Sequence, residues 1–138
     1  MAGVKNIFDI VGRSMGAQMV RLNTIASNLA NLESKAGSAE QAFKPVRPVF
    51  ETVFSDNYKD NGLATVDALS VVPLDREPER IYEPGHPNAD EAGYVYKSAV
   101  NSDEEMVEML EASRQYQNNI EVLSTVRALM MRTINMGK

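Results

Sequence analysis

The chain has 138 residues, 43% of them hydrophobic and 24% charged, the balance of a folded globular protein rather than a disordered one. It contains no cysteine, which excludes disulfides, thiol catalysis and cysteine-ligated zinc. A net charge of −5 with scattered basic residues opposes nucleic-acid binding, and no apolar run approaches the roughly 20 residues that cross a bilayer.

The first residues, Met1 to Asp9, include one lysine but no continuous apolar stretch and no small-residue cleavage site. Any route out of the cytoplasm is therefore expected to work without a cleaved leader. From there Val4, Phe8, Val11, Met15, Gln18, Leu22, Ile25, Leu29 and Leu32 alternate steps of four and three. That is a heptad seam in which Gln18 is the one polar member, and it predicts an N-terminal helix within residues 1–33, about 43 Å long. Gly12, Gly16, Asn23, Thr24, Ser27, Asn28 and Asn31 are weak helix formers, so the order of this helix is expected to depend on packing. Gln18, Asn23, Asn28 and Asn31, on or near the seam, are expected to fix register through hydrogen bonds.

Residues 34–101 change vocabulary. All six prolines lie here. Strands are predicted at Val46–Phe54, Ala64–Val72, Arg80–Tyr82 and Tyr94–Tyr96, with turn signals at Asp60-Asn61-Gly62 and Pro84-Gly85-His86-Pro87. So short a segment supports only a small, mostly β module with a marginal core. Ser34 to Gln41 reads as a flexible loop.

The last segment, residues 102–138, carries a broad apolar stripe: Met106, Met109, Leu110, Ser113, Tyr116, Ile120, Leu123, Val126, Met130 and Ile134. Ser102 with Glu105 has the spacing of a capping box, and Asp103, Glu104 and Glu105 suit the positive end of a helix dipole. Arg127, Arg132 and Lys138 suit the negative end, and Gly137 is a plausible stop.

The fold expected is α+β, with long N- and C-terminal helices pairing as an antiparallel coiled-coil hairpin and the β module inserted between them. A seamed helix must bury its apolar side, and one partner helix covers only part of each stripe, so contacts with neighbouring subunits are the natural completion. His86 is the only histidine and sits between turn formers, and the acidic residues near 103–111 are explained by helix chemistry, so no metal, cofactor or catalytic residue is expected. Two other readings stay open: a self-sufficient helical hairpin, and a coiled-coil chaperone or adaptor whose helices clasp a client.

Specific words in the sequence narrow the choice. The run Val20-Arg21-Leu22-Asn23-Thr24-Ile25-Ala26-Ser27-Asn28-Leu29-Ala30-Asn31-Leu32-Glu33-Ser34 resembles the N-terminal signature of the flagellar rod and hook axial protein family. Tyr82-Glu83-Pro84-Gly85-His86-Pro87, followed by Gly93-Tyr94-Val95, resembles the central motif of that family's proximal-rod members, and Glu105 to Asn119 resembles its C-terminal signature. Phe43-Lys44 stands where a tyrosine and a basic residue are usual, and Ser98-Ala99 where Pro-Asn is common. The resemblance implies a non-enzymatic subunit of the periplasm-spanning rod, assembled into a helical tube that transmits torque. It also implies export by the flagellar type III apparatus. The partners it implies are copies of the chain, other rod proteins, the FliE adaptor and the export gate, with no direct bilayer insertion; another rod protein of the same axial family is the alternative.

Overall fold

A long segment free of proline opens the chain and another closes it, and each forms one helix. The computed structural model describes residues 2–54 and 64–137, with the side chains of residues 2–4 and of Leu69 outside the description. Helix α1 spans Ala2–Ala30 and helix α2 spans Ser102–Met136. Five strands lie between them: β1 (Lys35–Ala36), β2 (Val46–Phe54), β3 (Ala64–Pro73), β4 (Glu79–Tyr82) and β5 (Tyr94–Lys97). The α+β class holds, with small antiparallel sheets between two terminal helices. The turn expected at Asp60-Asn61-Gly62, Val4's side chain and Lys138 lie outside the described residues.

The middle forms two sheets rather than one module. In the first, β5 is the central strand between β1 and β4, antiparallel to both. In the second, β2 pairs with β3 from Val46↔Pro73 to Phe54↔Ala64. Partners shift between Val49↔Ser70 and Phe50↔Ala68, so Leu69 is the extra residue of a bulge, which locally increases the ribbon's twist. Pro48 is tolerated in β2 because each strand of a two-stranded ribbon has an unpaired edge. Both β2 and β3 pack along α1.

The loop expected between Ser34 and Gln41 is instead tied down. Lys35 and Ala36 pair with Lys97 and Tyr96, and the backbone N–H of Ala42 donates to the Ser38 carbonyl. Nothing local favours a two-residue strand; it exists because β5 offers an edge.

The start of α2 also differs from the expected capping box. Asn101, one residue earlier, is the N-cap: its side-chain oxygen accepts from the backbone N–H groups of Asp103 and Glu104. Glu105 is thereby free of capping duty and turns inward, completely buried. At the other end Gly137 caps the helix, with its N–H donating to Thr133 and Ile134 carbonyls. Arg127 and Arg132 fall short of the last turn, which holds no base among the described residues.

The core gathers at one end of the helix pair, called here the base. Ile25, Ala42, Pro45, Val95, Val100 and Ala112 are buried there, together with the polar Thr24, Asn28, Ser98 and Glu105. Toward the other end only Val11 and Ala17 are buried among the described residues, and every described residue of α2 from Met131 on is exposed.

Candidate assembly surface

Which residues are left for partners depends on what the protomer uses internally. The two helices pack against each other, and their polar contacts run antiparallel: Asn119 to Ser14 at 3.0 Å, Glu108 and Glu111 to Arg21, and Glu105 to Asn28 at 3.2 Å. On α2 the less exposed positions include 105, 109, 112, 116, 119, 123, 126 and 130, alternating four and three, with 104, 108 and 113 beside them. This inward line contains Glu105, Ala112 and Asn119, so it is rotated from the apolar stripe expected there.

The sequence-predicted residues therefore divide. On α1, Val11, Ile25 and Asn28 are buried, Met15, Gln18, Leu22 and Leu29 are half-buried, and Phe8 is exposed; Leu32, predicted on the same helix, lies half-buried in the turn after its end at Ala30. Gln18 Oε1 is enclosed without a hydrogen-bond partner. On α2, Met109, Ser113, Tyr116, Leu123, Val126 and Met130 are half-buried, whereas Met106, Leu110, Ile120 and Ile134 stay exposed. Leu110 retains 69% of its accessible surface and Met136 87%. Met19 on α1 and Val107, Val122, Leu129 and Met131 on α2 extend this unburied apolar surface. These exposed apolar residues lie on both terminal helices.

Asn28 is spent inside the protomer. Its Oδ1 accepts from the Val46 N–H at 2.9 Å, and its Nδ2 donates to the Val46 carbonyl at 3.0 Å and to Glu105 Oε2. The other Glu105 oxygen lies 2.6 Å from Arg47 Nη2 without hydrogen-bond alignment, so that attraction is mainly coulombic. Arg47 also reaches Glu104 at 3.4 Å, and Arg76 holds Glu104 bidentately with two bonds of 2.8 Å. The hydrogen bond from Arg76 holds the Glu104 carboxyl below its ordinary value against the opposing effect of burial, and Glu104 in turn raises Arg76. Burial is the largest influence on Arg21 and works to lower it, but Glu108 and Glu111 together outweigh it and the guanidinium is raised.

Arg47, Arg76 and Glu105 carry no local signal for this cluster. Arg47 sits in a strand, Arg76 in a loop, and Glu105 reads as a helix-start acid. Asn28 was legible as a polar residue near a seam, expected to fix register, and as part of the N-terminal signature, but not as the partner of Val46 and Glu105. Beside the cluster a cleft of about 320 Å³, lined by Arg21, Thr24, Ile25, Arg47, Pro48, Phe50 and Glu108, opens between α1, α2 and β2.

The central motif forms a hydrogen-bonded loop between β4 and β5. His86 N–H donates to the Glu83 carbonyl, His86 Nδ1 accepts from the Asn88 N–H, and the Asn88 side chain donates to the Lys35 carbonyl. Lys35 Nζ bonds both Glu83 oxygens at 2.7 and 2.8 Å, a hydrogen bond that holds the Glu83 carboxyl below its ordinary range. Gly93 closes the loop at φ +83°, where a Cβ would stand 2.9 Å from the Tyr82 ring and 3.0 Å from Pro84. Tyr82, Pro84, Gly85 and Pro87 remain exposed, and His86 half-buried. In the N-terminal motif Arg21 and Asn31 are half-buried, while Asn23, Ser27 and Ala30 face solvent. No helix is long and apolar enough to cross a membrane, and the described residues hold no cluster of three or more potential metal ligands.

Residues 91–136 match the family model described as the flagellar basal body rod FlgEFG protein C-terminal. The chain is 41% identical over 133 residues to the flagellar basal-body rod protein FlgC of Salmonella typhimurium, covering 96% of this chain and 97% of that protein. Against the protein of the same name from Escherichia coli O157:H7 the identity is 40% over the same shares. Against that of Aquifex aeolicus it is 36% over 138 residues, the whole of both chains.

Proposed function

Because the chain belongs to the FlgC family of flagellar basal-body rod proteins, we propose that it is a structural subunit of the proximal rod. It works by packing its two terminal helices against neighbouring subunits, without catalysing a reaction. The observation that carries this is the apolar surface that the protomer leaves uncovered on both helices, Phe8 and Met19 on α1 with Leu110, Ile120 and Ile134 on α2. The helices act as an antiparallel coiled-coil hairpin whose inner side is closed within the chain and whose outer apolar rows meet other subunits. Copies related by a helical operation make heterologous contacts that do not close into a small ring, and so build a tube. Each apolar side chain covered there contributes roughly 1.5–3 kcal/mol before ordering costs.

The partners of this surface are copies of the chain and other rod proteins. The FliE adaptor and the export gate are the neighbours proposed beneath it, reached by export through the flagellar type III apparatus. A client-clasping chaperone, or a different member of the axial family, draws no support from relatives that match from end to end under one name.

The test is a chain carrying Leu110→Asp and Ile120→Asp as the sole copy in a flagellated cell. Both residues are exposed in the protomer, so its melting temperature should hold while rod-bearing basal bodies and swimming are lost. Wild-type numbers of rods with both charges in place would overturn the proposal.

A further inference from the structure

The inward line of α2 divides the rest of that helix into two flanks. A residue directly after an inward position stands about 100° to one side of the line, and one directly before it about 100° to the other. The residues that follow inward positions include Met106, Ile120 and Met131, with Arg127 as their one charge. Those that precede inward positions include Val122 and Leu129, with Glu104, Glu108 and Glu111 as their charges. One flank therefore holds a cation and no acid, and the other holds three carboxylates and no base. Both flanks also carry exposed apolar surface, Met106, Ile120 and Met131 on the first and Val122 and Leu129 on the second.

The three carboxylates are not equally satisfied. Arg76 and Arg47 both pair with Glu104. Glu108 and Glu111 share the guanidinium of Arg21, with the longer contact, 3.3 Å, to Glu111. Those three groups together keep one negative charge, and the Glu111 side chain remains 57% exposed. Arg127 is exposed and has no ion-pair partner among the described residues. It does not reach Glu111 of its own chain, because 16 residues separate them, about 24 Å of helix, and they sit on opposite flanks. In a second copy lying alongside in the same direction, opposite flanks face each other. Without a shift Glu111 would face Leu110 and Ser113, and Arg127 would face Thr125 and Leu129, so both charges would lose water without gaining a partner. A displacement of about 24 Å brings Arg127 of one copy beside Glu111 of the next.

We propose that α2 docks flank to flank on α2 of a neighbouring copy, running the same way and displaced by about 24 Å, with an Arg127–Glu111 ion pair across the contact. The contact rests on the rod-subunit reading above, which sets the copies in one direction. Because opposite flanks meet, each α2 keeps a place for a second neighbour, as a heterologous contact requires. The ion pair sets the displacement, and the apolar residues of the two flanks supply area.

Charge reversal in the sole copy of a flagellated cell tests the pair. Arg127→Glu sets like charges against each other at the contact and should lower the number of rod-bearing basal bodies roughly tenfold. Glu111→Arg should do the same, and the two reversals together should restore rods to near the wild-type number. Both positions are exposed, so the melting temperature of the free chain should hold in each variant. A second measurement does not depend on reversal. The chain has no cysteine, so Glu111→Cys with Arg127→Cys reports the contact without background. Both charges leave together, so rods should still form, and oxidised basal bodies should contain dimers joined between positions 111 and 127, a link too long to close within one chain. Normal rod numbers in Arg127→Glu, a double reversal no better than either single one, or no 111–127 dimer from the cysteine variant would each overturn the proposal. Loss of rods in Leu110→Asp with Ile120→Asp but not in Arg127→Glu would remove this contact and leave the rod-subunit reading standing. Normal rods in all of these variants would overturn both.

Discussion

The two ends of the helix pair are made from the same heptad arithmetic but differ in how far they are finished. At the base, the strands and the segment around Ala42 and Pro45 add a third layer, and Ile25 falls to 1% exposure with Val95 and Ala112 at zero. At the far end the β2–β3 ribbon reaches α1 as far as the Arg13–Asp67 ion pair, and among the described residues α1 is the main element packed against α2. Its residues Leu129, Met131, Ile134 and Met136 are exposed. An apolar stripe therefore does not by itself produce a core; a helix needs cover on more than one side. The base has that cover within the chain, and under the proposed function neighbouring subunits supply it at the far end.

The largest expected effect lies at the base. Glu105→Ala removes the buried carboxylate that pairs with Arg47 and accepts from Asn28, leaving Arg47 with Glu104 at 3.4 Å, and should cost about 3 kcal/mol in urea unfolding of the full-length chain. A loss below about 1 kcal/mol would place Glu105 among surface pairs and erase the contrast. Gly93→Val comes next. A side chain at positive φ, pressed against Tyr82 and Pro84, should cost about 1–3 kcal/mol and lower the melting temperature, while leaving the far end unaffected.

Acid should act on the base in a defined direction. Glu104 and Glu83 have carboxyls held below their ordinary range by Arg76 and Lys35, so each contributes stability above the unfolded-state value of about 4.3. That contribution is lost as pH falls through the depressed folded values. Stability measured in urea should decline across this window, and Arg76→Gln should flatten the decline. The smallest effect belongs to the far end: Leu129→Ser, on an exposed side of α2, should change the stability of the free chain by less than about 0.5 kcal/mol. A larger loss would mean that this surface is already covered in the protomer.

Much of the fold was legible because local chemistry agreed with the final structure. The predicted strand Val46–Phe54 forms over those residues, with prolines and polar residues marking its surroundings. Strands β3 to β5 appear within one residue of expectation at each end. Two elements were hidden because their cause is distant. Strand β1 depends on an edge offered some sixty residues later, and the cap moved to Asn101 because Glu105 found Arg47 and Asn28. The candidate surface was legible in composition but not in facing. Periodicity picks out apolar residues, and cannot show that Ala112, Asn119 and a neutralised Glu105 would take the inward line while Leu110 and Ile120 stayed outside.

The contrast between the two ends is tested most directly by amide hydrogen exchange, comparing the free full-length chain with the same chain in isolated basal bodies. Around Thr24–Asn28, Val95–Glu105 and Ala112 protection should be strong in both samples. In residues 2–12 of α1 and 120–136 of α2 it should be weak in the free chain and rise on assembly. Uniformly strong protection along both helices in the free chain would contradict the account, because the far end would then be complete without any neighbour.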